Sequence, residues 1–246
     1  DGSASHSGNR NIIALSTVSV VTAGLPFNAG VQVEVRDALG NLKWDATNTV
    51  AFRSSDPKAG FSNVSYKFVS GDKGRRVFGG EWFTNRTAGL QNLTVSNQGY
   101  AAKVNGISVL ASGVTGFSNR AGSTAMVVGT PLMITVTAMT DAYGNRLSGT
   151  VSVAVTNAGL AGNVSLNPIS VVAGRGSNSQ TVNVTSTNSV TFRLWSGSRT
   201  NYITVTEVRP TAGTGNIIAL STVSVVTAGL PFNAGVQVEV RDALGN

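Results

Sequence analysis

The feature that most constrains this chain is a long internal repeat. Residues 11–41, NIIALSTVSVVTAGLPFNAGVQVEVRDALGN, return unchanged as residues 216–246, which is 205 residues later. Independent sequences do not converge on 31 identical residues, so the stretch is a recent duplication. The 246-residue chain therefore contains one repeating unit of 205 residues and the beginning of the next.

Composition and residue alternation predict an all-β fold. Hydrophobic residues make up 41% of the chain and charged residues only 12%, with 29 glycines. Abundant Val, Thr, Ser, Asn and Gly suit strands and tight turns. Residues 31–36 read VQVEVR, in which valines alternate with polar side chains as they do in a half-buried strand. The DALGN that follows is a predicted turn.

The spacing of further strands predicts β-sandwiches. In the first half we expect strands at 49–53, 64–69, 76–79, 90–96 and 100–109. With the two in the repeated stretch these make seven strands in about 100 residues, which is one sandwich.

The second half of the repeating unit is a diverged copy of the first. Residues 126–131, MVVGTP, echo residues 20–26, and residues 134–145, ITVTAMTDAYGN, echo residues 31–41. We expect its later strands at 151–156, 164–172, 180–186, 190–195 and 202–208. The predicted organisation is a flexible lead at 1–10, sandwiches at 11–110 and 111–208, a linker at 209–215, and the first two strands of an incomplete repeat at 216–246.

These motifs resemble a known family. TAGLPF, then VQVEVRDALGN, then a strand and SSDP, is similar to the tandem immunoglobulin-like repeats of large bacterial surface proteins of the invasin, intimin and biofilm-adhesin kind. The second half carries GTPL and VTAMTDAYGN but lacks SSDP. The resemblance implies tandem immunoglobulin-like β-sandwiches that form a stalk or fibre outside the cell. The absence of cysteine favours a prokaryotic surface protein and leaves a cytosolic origin open.

The chain offers little material for catalysis or membrane insertion. The single histidine, His6, lies in the polar lead, so a Ser-His-Asp arrangement has no folded scaffold. The eleven acidic residues are scattered over turns and strand ends. No apolar run approaches the roughly 20 residues of a membrane-spanning helix. We therefore expect neither an enzyme nor a membrane span.

Calcium is the one cofactor that the sequence suggests. Asp37, Asp141 and Asp242 recur at equivalent turns, and carboxylates and backbone carbonyls are calcium ligands. Each turn supplies a single carboxylate, however, so capping of the turn is the competing interpretation. Calcium binding would need the carboxylate of Asp45 or Asp72, from a neighbouring loop, to lie beside the aspartate of the turn.

Two surface features suggest partners. Trp44, Trp82 and Trp195 are candidates for stacking on a glycan or another cell-surface partner, and core packing is the alternative.

The formal charge is +7, and residues 67–76 form the only dense basic patch. That patch predicts either a solvated hairpin or contact with an anionic polymer. A nucleic-acid binder would concentrate its basic excess, usually interleaved with aromatics, whereas this chain has a single dense patch, so we expect no nucleic-acid partner.

The incomplete repeat raises the question of assembly. Its apolar positions need a partner sheet, because two strands are marginal alone. The chain continues, the segment frays, or it pairs with another copy in a strand-exchanged filament. The candidate assembly residues are Val223, Val225, Val236, Val238 and Val240.

The leading functional prediction is a structural or adhesive repeat segment of a long extracellular protein. Its partners would be neighbouring repeats or other copies of itself. The alternatives are a carbohydrate-binding module, a strand-exchanged filament subunit, and an inert accessory domain of an enzyme.

Overall fold

A computed structural model of the chain describes residues 11–156, 165–183, 189–209, 216–219 and 238–241. By its contacts the chain divides into two compact units. Unit 1 comprises residues 1–113 together with Asp141–Asn145, and unit 2 comprises Val114–Thr140 with Arg146–Asn246. Nearly all described secondary structure is strand, which confirms the predicted all-β class. The predicted lead at residues 1–10 lies outside the described residues.

Unit 1 is a sandwich of a three-stranded and a five-stranded sheet, with two short 3₁₀ helices at Ser70–Asp72 and Gly80–Trp82. Its strands are β1 (Asn11–Ser16), β2 (Val20–Thr22), β3 (Val31–Arg36), β4 (Thr49–Ser54), β5 (Gly60–Phe61), β6 (Ser65–Lys67), β7 (Arg75–Phe78), β8 (Phe83–Thr84), β9 (Gly89–Asn97) and β10 (Tyr100–Leu110). The sheet orders are β1-β3-β7 and β2-β10-β9-β4-β6, while β5 and β8 form a separate pair.

The core of unit 1 lies between these two sheets. Val31, Val33 and Val35 of β3 are fully buried and belong to one apolar cluster with Phe52 of β4 and Val95 of β9. The alternation that predicted β3 from the sequence is therefore the inward face of the smaller sheet. Because both sheets contribute to a single cluster, the predicted sandwich architecture is confirmed.

Unit 2 repeats this plan. Its strands are β11 (Gly116–Ala121), β12 (Ala125–Val127), β13 (Pro131–Thr140), β14 (Gly149–Val155), β15 (Ile169–Val171), β16 (Gly176–Thr181), β17 (Val190–Ser196), β18 (Arg199–Val205) and β19 (Glu207–Arg209). The sheets are β11-β13-β16, β15-β14-β17-β18 and the pair β12-β19. A second apolar cluster, which includes Ile134, Val151 and Phe192, fills the space between them.

In both units the strand near the amino end pairs in parallel with the last strand. In unit 1, β2 pairs with β10 through Val20↔Ser108, Val21↔Val109 and Thr22↔Leu110. In unit 2, β12 pairs with β19 through Ala125↔Glu207, Met126↔Val208 and Val127↔Arg209. The two ends of each sandwich are thus joined by backbone hydrogen bonds.

The repeated stretch forms the same antiparallel hairpin at both places. In the first copy, Ile12 pairs with Val35 and Ala14 with Val33. In the second copy, β20 (Asn216–Ala219) pairs with β21 (Val238–Arg241) in the identical register. Burial differs sharply, because Val33 and Val35 have no exposed surface whereas Val238 is 57% and Val240 68% exposed.

Several predicted strands differ from the observed ones for local reasons. The predicted strand 164–172 reduces to Ile169–Val171 within the described residues, because Pro168 has no N–H to donate to a ladder. The predicted strand 180–186 was wrong at its start and beyond Thr181, since β16 runs from Gly176 to Thr181 and residues 182 and 183 are not in a strand. Arg209, assigned to the linker, ends β19, and residues 210–215 lie outside the described part.

Strands β5, β8 and β11 were not predicted, and the first copy of the repeated stretch forms three strands, β1 to β3, where two were predicted. In β11 the sequence GFSNRA contains a single large apolar residue and so gives no alternation.

We predict that continuing the chain beyond Asn246 with the sequence of residues 42–110 completes a third sandwich. Val240 would then become as buried as Val35, its counterpart in the first copy. Because the chain has no cysteine, a Val240→Cys variant reports this through thiol reactivity. We expect its thiol to react at least roughly tenfold more slowly in the extended chain, since buried thiols are inert.

A Val35→Cys variant is the matched control, and its thiol should be protected in both chains. Equal reactivity of the Val240→Cys thiol in the two chains would show that the added residues do not cover this hairpin.

Candidate functional site

The first copy of the recurring turn is held by its own aspartate. Asp37 Oδ1 accepts hydrogen bonds from the backbone N–H groups of Leu39, at 2.9 Å, and Asn41, at 2.8 Å. The Asn41 side-chain amide donates to Oδ2 at 3.3 Å. These bonds, led by the one from the Asn41 backbone, lower the pKa of Asp37. The turn is exposed, and its Leu39 side chain is 87% exposed.

Asp141 makes the same turn in a buried setting. Its Oδ1 accepts from the N–H groups of Tyr143 and Asn145, both at 2.9 Å. Its Oδ2 accepts from the Ser112 N–H at 2.9 Å, the Ser112 hydroxyl at 3.2 Å and the Asn145 amide at 2.8 Å. Burial acts to raise the pKa of Asp141, but the bonds from Asn145, Ser112 and Tyr143 outweigh it and hold the pKa below its usual value.

Asn145 extends this cluster to the loop before β9. Its amide nitrogen donates to the Arg86 carbonyl at 2.7 Å, and its amide oxygen accepts from the Ala88 N–H at 2.8 Å. These partners all belong to unit 1 as its contacts define it. The turn therefore ties together residues that lie far apart in the sequence.

The same loop also bonds to Asp56, whose role was not predicted from the sequence. Asp56 Oδ2 accepts from the Arg86 and Thr87 N–H groups, and Oδ1 accepts from the Lys58 N–H at 2.8 Å. Burial acts to raise the pKa of Asp56, but the bonds from Thr87, Arg86 and Lys58 lower it overall. The only sequence signal was the Asp-Pro pair of SSDP, since Asp favours bonding to the backbone two residues ahead.

The geometry at Asp37 and Asp141 is that of turn capping. Their carboxylate oxygens are turned toward N–H donors, whereas calcium needs a cluster of oxygen ligands. Asp45 forms an ion pair with Lys43 and Asp72 with Arg76. Among the described residues, no group of three or more His, Asp or Glu side chains is placed to hold a metal ion. Asp242 lies outside those residues, and calcium binding stays a prediction.

The three tryptophans occupy different environments. Trp82 packs in unit 1 against Phe52, Phe78 and Tyr66, with ring centroids 5.0 to 6.4 Å apart, as the core-packing alternative describes. Trp44 is 65% exposed. Trp195 is partly exposed in unit 2, with the Arg193 guanidinium 5.1 Å from its ring centroid. Glycan contact by any of the three stays a prediction.

Both arginines of the basic patch at residues 67–76 are paired with acids within unit 1. Arg75 donates to Glu34 at 2.8 Å. Arg76 pairs with Asp72 at 3.1 Å and also donates to the Tyr66 hydroxyl at 2.7 Å. The two arginines therefore make three polar contacts within the unit, with Glu34, Asp72 and Tyr66. These contacts favour the hairpin interpretation over contact with an anionic polymer.

The assembly residues are only partly described. Val238 and Val240 are exposed on the β20-β21 hairpin, whereas Val223, Val225 and Val236 lie outside the described residues. Strand exchange between chains stays a prediction. In the described part of the chain, no helix has the length and apolar character needed to cross a membrane.

Comparison with solved structures finds similarity to bacterial surface proteins. The Escherichia coli adhesin FdeC is 16% identical, with a TM-score of 0.48, over 81% of this chain and 63% of its own. InvD of Yersinia pseudotuberculosis is 16% identical, with a TM-score of 0.44, over 96% of this chain and 71% of its own. Domains 4–9 of the surface layer protein SbsC are 18% identical, with a TM-score of 0.31, over 87% of this chain and 34% of theirs.

This chain thus spans less than two thirds of the FdeC structure that it matches. These neighbours belong to the class of bacterial surface proteins that the sequence resembles. No protein-family model matches the chain, and no curated protein matches it.

We predict that Asp141→Asn destabilises unit 1 by about 1–3 kcal/mol at pH 7, because buried donors lose their acceptor. The stabilisation from a carboxylate with a lowered folded pKa is fully present above its unfolded pKa of about 3.9. It is lost as pH falls through the folded value, so the variant should also lose less stability below pH 4 than the parent. Urea unfolding in a Trp195→Phe background measures this, because Trp44 and Trp82 then report on unit 1 alone.

The matched control is Asp37→Asn, which makes the same change in the exposed copy of the turn. We expect a clearly smaller loss of stability from this variant. Equal losses from the two variants would mean that the contacts beyond the turn do not stabilise unit 1.

Proposed function

We propose that this chain is a structural and adhesive repeat segment of a long extracellular protein, and that its sandwiches act as load-bearing stalk elements. The observation that carries this proposal is the parallel pairing of the second strand with the last strand in both units. The sequence signature of bacterial surface repeats supports the extracellular setting.

The terminal pairing resists extension because of its direction. When two parallel strands are pulled from their opposite ends, their hydrogen bonds lie across the load and share it, whereas an antiparallel hairpin opens one bond at a time. In unit 1 the connection includes Ser108 N–H to Ser19 O and Ala23 N–H to Leu110 O, both at 2.8 Å. In unit 2 the Val128 N–H donates to the Arg209 carbonyl at 2.9 Å.

The same turn closes this connection in both units. The Leu25 N–H donates to the Thr22 carbonyl at 3.0 Å, and Gly24 has a φ of +83°. The Thr130 N–H likewise donates to Val127 at 3.1 Å, and Gly129 has a φ of +76°. Both have the form of type II turns, in which glycine takes the third position and proline suits the second. The second positions are Ala23 and Val128, whose N–H groups bond to the last strand.

We predict that Ala23→Pro weakens unit 1 against force while keeping its turn. The substitution removes the N–H that donates to Leu110 and places a proline ring carbon against that carbonyl, at a cost of about 1–3 kcal/mol. We expect a several-fold faster unfolding rate under load. Single-molecule force spectroscopy of the chain, pulled from its two ends, measures this rate.

Phe78→Ala is the comparison variant, because it removes core packing from β7, which pairs with β3 and not with β2 or β10. It costs about 3–5 kcal/mol in chemical unfolding. We expect it to accelerate forced unfolding less, relative to its chemical destabilisation, than Ala23→Pro does. The proposal fails if Ala23→Pro leaves the rate under load unchanged or if the two variants act in the same proportion.

A further inference from the structure

A shallow groove crosses the three-stranded sheet of unit 2. It has a volume of about 390 Å³. Its lining consists of Arg120 of β11, residues 135–137 of β13, Arg175 just before β16, and Gly176 and Ser177 of β16. Arg120 pairs with Thr135, and Thr135 pairs with Ser177, so these three side chains stand in one row across the sheet. Thr137 and Arg175 each lie two residues from a member of this row and line the same groove.

The two arginines of this groove are not neutralised. Residues 114–209 contain six arginines and no lysine, but only two carboxylates, Asp141 and Glu207. Asp141 is surrounded by the donors of its turn, and Glu207 pairs with Arg209 at 2.6 Å. In the described part of unit 2, Arg120 and Arg175 are exposed and form no ion pair. Their charges therefore face solvent.

Unit 1 shows that this arrangement does not follow from the fold itself. A groove on its own three-stranded sheet is lined by Leu15, Gln32 and Val77 and carries no charge. Its arginines at positions 75 and 76 are paired with acids instead. The cationic groove is thus a property of the unit 2 sequence.

The geometry points to a binding site for an acidic polysaccharide on this sheet. A guanidinium group forms paired hydrogen bonds with a planar carboxylate or with a sulfate. The hydroxyls of Thr135 and Ser177 are suited to bond sugar hydroxyls between the two charges, and the Thr137 hydroxyl, which donates to the Ser118 carbonyl at 3.3 Å, can still accept. An open groove fits a polymer that passes across the sheet. No aromatic side chain lines it, so the stacking platform of single-stranded nucleic-acid sites is missing.

This inference goes beyond the stalk function and does not depend on it, because it concerns a different sheet and a ligand. If the chain binds no acidic polysaccharide, the result expected from force spectroscopy is unchanged. If the force measurements contradict the stalk function, the expected binding is likewise unchanged.

The test is binding of the full chain to immobilised polygalacturonate, dextran sulfate and uncharged dextran at low salt. We expect binding to at least one anionic polymer, none to dextran, and weakening as salt is raised. The comparison of the two anionic polymers distinguishes carboxylate from sulfate. The Arg120→Gln and Arg175→Gln double variant should bind at least about tenfold more weakly.

The control is the Arg193→Gln and Arg199→Gln double variant, which removes the same charge from exposed positions of unit 2 outside the groove. We expect it to change the affinity less than about twofold, with thermal unfolding confirming that both double variants fold. The inference is overturned if neither anionic polymer binds or if the control pair weakens binding equally. It is also overturned if a single-stranded DNA oligonucleotide binds as tightly with the same dependence on Arg120 and Arg175.

Discussion

The apolar face of the hairpin at the start of each repeat must be covered by a second sheet, and the sandwich depends on this requirement. The two copies of the repeated stretch separate local from tertiary causes unusually cleanly. Strand pairing follows from local sequence, because Ile12↔Val35 and Ile217↔Val240 have the same register. Burial does not, because Val35 is inaccessible and Val240 is 68% exposed. A two-stranded hairpin is only marginally stable by itself, so the strands that follow it in unit 1 supply most of its stabilisation.

In the recurring turn, too, local sequence determines the conformation and the surrounding structure determines the burial. In both Asp37–Asn41 and Asp141–Asn145 the aspartate accepts from the backbone two and four residues ahead, a pattern that five residues suffice to encode. Only Asp141 also accepts from Ser112. Buried donors around it would lose their partners if the carboxylate were removed, whereas solvent replaces the partners of an exposed turn. Equivalent aspartates in one repeat family can therefore differ greatly in their importance for stability.

The sequence was informative where the signal is local. Alternating valines predicted β3, and the long runs at residues 90–96 and 100–109 correspond to β9 and β10. It failed at β11, whose polar sequence becomes a strand only because β13 provides a ladder for it. The functional residues were harder to predict. The clustered cations at residues 67–76 suggested contact with an anionic polymer. Arg75 instead pairs with Glu34, some 40 residues away in sequence, and no periodicity in the sequence predicts such a pairing.

The groove of unit 2 could not be predicted from the sequence for the same reason. Arg120 and Arg175 lie 55 residues apart and are joined only through β13, whose Thr135 stands between Arg120 and Ser177. Their strands are not those that carry the terminal pairing, since β12 and β19 form that ladder separately. A polymer bound across β11, β13 and β16 would thus contact side chains without replacing any hydrogen bond of the load-bearing pair. The two proposals therefore place resistance to force and recognition of a ligand on different strands of one sandwich, so that either could change without the other.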